Sequence, residues 1–285
     1  MEKYENDRPA IDENSVLLSL KLHKPGNRRK VKAGVVQVDA DADALHVAKE
    51  LLDTEAYETI VQFDGITTRW LGTVALPASK ALRAGIWRLS YESLAFVTER
   101  LKLRATAREE LVDIFCQEYP VWRAGAQDRL RALFDLDEYP SVEKVRNAFQ
   151  MDWQIFTISI PSALARLAPN VYEETKQRME QYQQESLREC QDALRTSFAA
   201  VVRKAADKLG FTPDGKPLVF RDTLVTRMEQ FLTSFQSRNL AQDEQLAILV
   251  EEARNVMSRV SDAQALRTDT ALRSTVQQTM QAISS

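Results

Sequence analysis

A chain of 285 residues can bury one large core or two smaller ones, and its 44% apolar content is ordinary for a globular protein. The net charge of −3 gives no global attraction to nucleic acid or to an anionic membrane, so either would need a local patch. Two cysteines, Cys116 and Cys190, are too few for a disulfide framework and point to a reducing compartment.

Glu2–Asn14 is polar and acidic and lacks the apolar segment of a signal peptide, so residues 1–14 read as a flexible tail. The period then becomes two. Val16, Leu18, Leu20 and Leu22 alternate with Leu17, Ser19, Lys21 and His23, the pattern of a strand. Lys24-Pro25-Gly26-Asn27 is a turn by composition, and a second strand is expected from about Lys30 to Val38, with a bulge at Gly34. A hairpin alone is marginal in water, so a third strand is expected from Trp153 to Ile160, ended by Pro161.

Between these strands the pattern is helical. Short helices are expected at Asp43–Leu52 and Thr54–Phe63. Gly72 and Pro77 are expected to turn the chain between two helices. A long pattern then begins after Pro77, through Trp87, Tyr91, Leu94 and Leu101, continuing with Val112, Phe115 and Tyr119 until Pro120. Ser141 is a good N-cap for a helix through Met151.

From Val171 to Leu209 almost forty residues carry neither Gly nor Pro, between Pro169 and Gly210. Thr175, Met179, Tyr182, Ser186, Cys190, Leu194, Phe198, Val201, Ala205 and Leu209 mark one face of a long helix. Their mean step of roughly 3.8 exceeds the 3.5 of a heptad and disfavours a left-handed coiled coil. The first half of this seam is polar and is expected to project, while the second packs. Residues Gly210–Pro217 form a turn, and three further helices complete a bundle. The helical pattern runs into the last residues, as though the chain were cut within a helix.

The fold class is therefore mainly α with an α+β part: a long-helix bundle with a small N-terminal antiparallel hairpin extended to three strands. The expected domains are residues 15–168, with the hairpin, and 169–285. No stretch reaches the roughly eighteen uncharged apolar residues of a membrane span, so a cytoplasmic protein with no membrane association is expected.

Most catalytic signatures are missing. There is no Walker A string, no Gly-x-Gly-x-x-Gly, no HExxH, no CxxC and no Gly-x-Ser-x-Gly. With His23 and His46 alone, neither a zinc site nor a Cys–His nucleophile pair is indicated. Asp39, Asp41, Asp43 and Glu50 copy the charged spacing of a calcium loop, but Ala44 replaces the turn glycine. Acidic residues capping a helix are the better reading. Glu109, Glu110 and Asp113 read as a solvated helix face. No cofactor, no metal and no enzymatic activity are expected.

Two features remain as candidate partner-binding residues. Lys24, Arg28, Arg29, Lys30 and Lys32 place five cations in nine residues at the hairpin tip. They suit an acidic protein or phosphates, or a solvated turn that discourages edge pairing. No aromatic is interleaved, so base stacking is not indicated. Trp70 is large enough to anchor an interface, although a core role is the commoner outcome for tryptophan.

The string Thr68-Arg69-Trp70-Leu71-Gly72-Thr73-Val74-Ala75-Leu76-Pro77 follows the basic hairpin. Tyr119, Trp122, Phe156–Pro161 and a helical C-terminal half come after it. This order resembles a family of bacterial and mobile-element proteins encoded near MoxR-type AAA+ ATPases. The resemblance implies a non-enzymatic adaptor, an accessory component of an ATP-driven remodelling system whose partner is a AAA+ ATPase. The alternative is a nucleic-acid-binding accessory protein of a phage or plasmid, acting through the basic tip. The charged tip argues against insertion into a membrane. The long helix packs within the monomer or along a second copy in a homo-oligomer, since both bury the same stripe.

Overall fold

A computed structural model describes residues 14–31, 47–52, 54–78 and 85–284. The protein is mainly α with a minor antiparallel β part, as its sequence pattern requires. Two compact units interleave along the chain. One takes residues 1–19, 71–95 and 155–285, and the other takes 20–70 and 96–154. This division differs from the expected boundary at 168/169. Leu76, early in the chain, belongs to the same apolar core as the C-terminal helices.

The sheet follows a different pairing from the expected hairpin. Strand β1 (Ser15–His23) lies between β5 (Ile86–Ser90) and β6 (Gln150–Phe156), in the order β4-β5-β1-β6, with β4 at Leu76–Pro77. β1 runs antiparallel to β5, with Ser15 opposite Ser90 and Leu18 opposite Trp87. The β5 side of β1 is paired over Ser15–Ser19. Of the strand expected at Lys30–Val38, residues 32–38 lie outside the described residues. Arg28–Lys30 instead forms β2, antiparallel to β3 (Ala48–Glu50). The expected bulge at Gly34 lies outside the described residues. The third strand does exist beside β1, but it begins three residues early and ends at Phe156. Val16, Leu17 and Leu18 are all buried, so the start of β1 is covered on both faces and its alternation marks only the later part.

Three helix expectations are also corrected. Residues 48–50 are strand, not helix, and the chain enters α1 (Glu55–Val74) only at Thr54, whose Oγ1 accepts a hydrogen bond from Tyr57 N at 3.0 Å. Gly72 lies inside α1, and Pro77 lies in β4, not in an interhelical turn. Residues 86–90 are strand β5, entered through Gly85 at φ +87°, where a side chain would be strained. Ser90 Oγ then accepts from Ser93 N at 3.2 Å and starts α2 (Tyr91–Leu130).

Pro120 does not end α2. A proline there removes one backbone donor and crowds the preceding turn, at about 3 kcal/mol. Phe115, Cys116, Tyr119 and Ala126 on either side are buried in one core with Tyr57, Ile60 and Phe149, which offsets that cost. Helix α3 (Val142–Ala148) starts at Ser141, whose Oγ accepts from Lys144 N, but it stops short of Met151 because β6 begins at Gln150.

After α4 (Ala163–Leu167), helix α5 runs over Pro169–Leu209, with Pro169 in its first turn where the missing N–H costs nothing. Burial starts at Gln183 and Ser186 and continues through Cys190, Leu194, Phe198, Val202, Ala205 and Leu209. Val202, not Val201, is the fully buried member. The core is completed by α6 (Thr223–Arg238), α7 (Glu244–Met257), α8 (Ala265–Thr268) and α9 (Thr270–Ser284), with α9 packed along α5.

Arg273 on α9 closes the C-terminus of α5. Its Nε donates to Leu209 O at 2.8 Å, and Nη2 lies within bonding distance of the carbonyls of Lys208, Gly210 and Leu218. These carbonyls have no helical partner, and the cation complements the negative end of the helix. At the start of α7, Asp243 accepts from Leu246 N at 3.1 Å and from Arg195 Nε at 2.5 Å.

Arg273→Met keeps the aliphatic stem and removes the donors. Bonds to a charged group are worth about 1.5–3 kcal/mol, so a loss of at least roughly 2 kcal/mol is expected in urea denaturation; an unchanged midpoint would refute the capping role. The Asp243 carboxyl is held well below the usual carboxylate range, first by the hydrogen bond from Arg195 and then, against desolvation, by the Leu246 N–H. Its contribution is present above the unfolded carboxylate value, about 3.9, and is lost as pH falls below it. Asp243→Asn should be less stable than the parent at pH 7 and show a shallower stability loss below about pH 4, read by thermal melts across pH.

Candidate basic docking segment

Of the cations expected at a hairpin tip, Lys24 lies on the segment that joins β1 to β2, and Arg28, Arg29 and Lys30 make up β2 itself. The backbone leading into β2 is held at three alternate residues. The His23 carbonyl accepts from Arg108 Nη2 at 2.8 Å, and the Pro25 carbonyl accepts from the Tyr57 hydroxyl at 2.8 Å. The Asn27 carbonyl accepts from Leu51 N at 2.7 Å, and the Asn27 side chain accepts from Leu52 N. Tyr57, Leu51 and Leu52 are themselves buried. Burial raises the pKa of the Tyr57 phenol, with Asp64 and Glu58 adding to the shift, so the hydroxyl remains a donor.

Arg108 is fixed in turn. It is 2% exposed and forms a forked pair with Asp64, which is 5% exposed, through Nε–Oδ1 at 2.7 Å and Nη2–Oδ2 at 3.1 Å. The Phe149 ring lies 5.8 Å from its guanidinium carbon. A carboxylate on α1 and a cation on α2 thus pair, and a further Nη2 donor of Arg108 holds the strand end. A single buried partner would be strongly destabilising.

This framework leaves Lys24, Arg28, Arg29 and Lys30 exposed. Arg28 is bonded to Glu50 across the β2–β3 pair at 2.8 Å. Arg29 bends back to the carbonyl of Arg28 at 3.2 Å. Lys32 lies outside the described residues. Trp70 stands elsewhere, half-buried on α1, with the Arg104 guanidinium 4.8 Å from its ring centre and Arg104 Nη1 3.3 Å from Thr67 Oγ1. It is neither a core residue nor a bare anchor.

Of the calcium-like string, Asp39, Asp41 and Asp43 lie outside the described residues, and Glu50 is engaged by Arg28. Among the described residues no group of three or more His, Cys, Asp or Glu side chains converges as a metal site would. Cys116 and Cys190 are free and buried, and burial pushes the Cys190 thiol up to about 11, so it is not a nucleophile poised for neutral pH. Asp113 pairs with Arg146, as a solvated face allows. Among the described residues no helix is long and apolar enough to cross a membrane.

The sequence reading missed the anchors. Asp64 and Arg108 are 44 residues apart, and only the charged position inside each apolar stripe hinted at them. It also missed a second group of cations, Lys204, Lys208, Arg221 and Arg227, which no run of charge reveals.

Asp64→Ala leaves Arg108 buried without its counter-charge and is expected to cost about 3–5 kcal/mol. Hydrogen exchange should then show faster exchange at residues 24–30; protection equal to the parent's would contradict the anchoring. The chain finds no match among protein-family models, curated proteins or solved structures.

Proposed function

We propose that this protein is a non-catalytic adaptor that docks an acidic protein surface through residues 24–30. The observation that carries this reading is the contrast between a backbone pinned at His23, Pro25 and Asn27 and side chains left exposed at Lys24, Arg28, Arg29 and Lys30. A preformed segment loses less entropy on binding, and exposed cations raise the encounter rate with an acidic partner. The partner class we favour is a AAA+ ATPase of a bacterial or mobile-element remodelling system. That choice rests on the resemblance of residues 68–77, Tyr119, Trp122 and the helical C-terminal half, and not on the expected hairpin, which the β2–β3 pairing replaces. A chain without a Walker string suits the accessory part of such a system better than its motor.

The test is affinity purification of the tagged full-length chain from its native host, with and without nuclease, beside Arg28→Glu/Arg29→Glu. Near-stoichiometric recovery of one protein, kept after nuclease and lost in the double variant, is the expected result. Recovery of nucleic acid, with proteins lost on nuclease treatment, would replace this reading with a nucleic-acid-binding one. Recovery unchanged by the charge reversal would remove the segment from the function.

A further inference from the structure

The C-terminal helices carry a groove that the basic segment does not explain. It has a volume of about 390 Å³, within the range of ligand sites, and is lined by Lys204 and Lys208 of α5, Val219, Phe220 and Arg221 of the connection, and Thr223, Leu224 and Arg227 of α6. Four cations and no carboxylate face it. None of the four forms an ion pair with a carboxylate among the described residues. In a chain of net charge −3 this is a local concentration of positive charge.

The sequence makes the groove through several local features. Lys204 and Lys208 are one turn apart on α5, and Thr223 and Arg227 one turn apart on α6, so each helix presents a pair along the same line. The first turn of α6 carries no acidic residue, and Asp222 makes no side-chain cap to it. Asp222 is instead taken by Arg267.

The connection itself is held from below. Arg267 and Arg273 stand 5.0 Å and 5.3 Å from the ring centre of Phe220. Arg267 donates to Phe220 O at 3.2 Å, and Arg273 donates to Leu218 O at 2.5 Å. Val219, between two fixed residues, is 91% exposed. An apolar side chain so fully in water, on a backbone so well tied, is a contact point without a contact.

We infer that this groove binds an acidic peptide segment of a partner protein, in which carboxylates flank an apolar side chain. The cations are spread over two helices and a connection, which suits several separated carboxylates better than one compact anion. Arg221 and Arg227 offer planar forks for carboxylates, and Val219 offers the apolar contact. Nucleic acid fits less well, because the only ring lining the groove, Phe220, is buried with its faces towards two arginines and is closed to base stacking. The groove shares no residue with 24–30, and its role stands or falls independently of theirs.

The test pans a phage-displayed random dodecapeptide library on the full-length chain and on Lys204→Glu/Arg227→Glu. Both substituted residues are exposed, and a thermal melt checks that the variant keeps its fold; Lys204→Gln/Arg227→Gln serves if it does not. Enriched peptides, fluorescein-labelled, are then measured by anisotropy at low and high salt against the parent, the charge variants and Val219→Asp. Enrichment of Asp/Glu around an apolar residue is expected, with affinity at least tenfold weaker in the charge-reversed variant and in Val219→Asp. No enrichment, or equal binding to the variants, would overturn the inference. Displacement of the peptide by an oligothymidine or by polyphosphate at matching affinity would also overturn it, by making the groove a general polyanion site. Residues 24–30 are unaltered throughout, so no outcome can be mistaken for a change there.

Discussion

A guanidinium group removed from water must find acceptors for its donors, and that constraint organises both units of this protein. Arg88, Arg108, Arg238 and Arg273 are all buried. They meet it to different degrees, and the buried Nε of Arg238 has no hydrogen-bond partner. Arg108 takes a carboxylate and a strand-end carbonyl. Arg273 takes backbone carbonyls at the end of α5. Arg88 uses the hydroxyls of Ser15 at 3.0 Å and Ser186 at 3.5 Å. Arg238 rests near the Gly72 carbonyl and over the Phe231 ring, and desolvation lowers its pKa to about 10, still charged at neutral pH. Buried charge of this kind adds little net stability over a well-packed apolar group, but it penalises any arrangement that leaves the donors unmet. The positions of chain ends and connections follow from it.

Both exposed basic surfaces are consequences of such anchoring. Residues 24–30 stay outside because Arg108, Tyr57 and the backbone of Leu51 and Leu52 hold the alternating carbonyls and the Asn27 amide. The Leu218–Phe220 connection stays outside because Arg267 and Arg273 hold its carbonyls and its ring. In each case a buried or half-buried donor fixes the backbone, and neighbouring side chains are left to solvent. Their charges are opposite in sign to the net charge of the chain, so the surface field is patterned even though its sum is small.

The longest elements were the most legible in the sequence. Helix α5 was readable end to end because its signal is redundant: Pro169 starts it, Gly210 follows it, no Gly or Pro interrupts it, and its buried face repeats for about seven turns from Gln183 to Leu209. Short strands were not. Ile86–Ser90 carries Trp87 and Leu89 at positions that also fit the helix beginning at Tyr91, and five residues cannot separate two periods. Pro120 misled for a different reason. Its local cost is real, but apolar burial on both sides of it is larger, and burial is not a local property. The exposed cations of the candidate segment were readable as composition. What made them a defined surface, the Asp64–Arg108 pair, lay in two distant helices.

The sequence alone determined the mainly helical class, the extent of α5, the existence of β1 and the Ser141 cap, because these depend on propensity, period and end signals within a few turns of chain. Tertiary structure decided which strands β1 pairs with, which stretches of chain each unit takes, and which cations converge. Strand edges, buried counter-charges and grooves join residues separated by tens of positions. The free energy that selects among such pairings comes from burial and hydrogen-bond satisfaction in three dimensions, which no local pattern encodes.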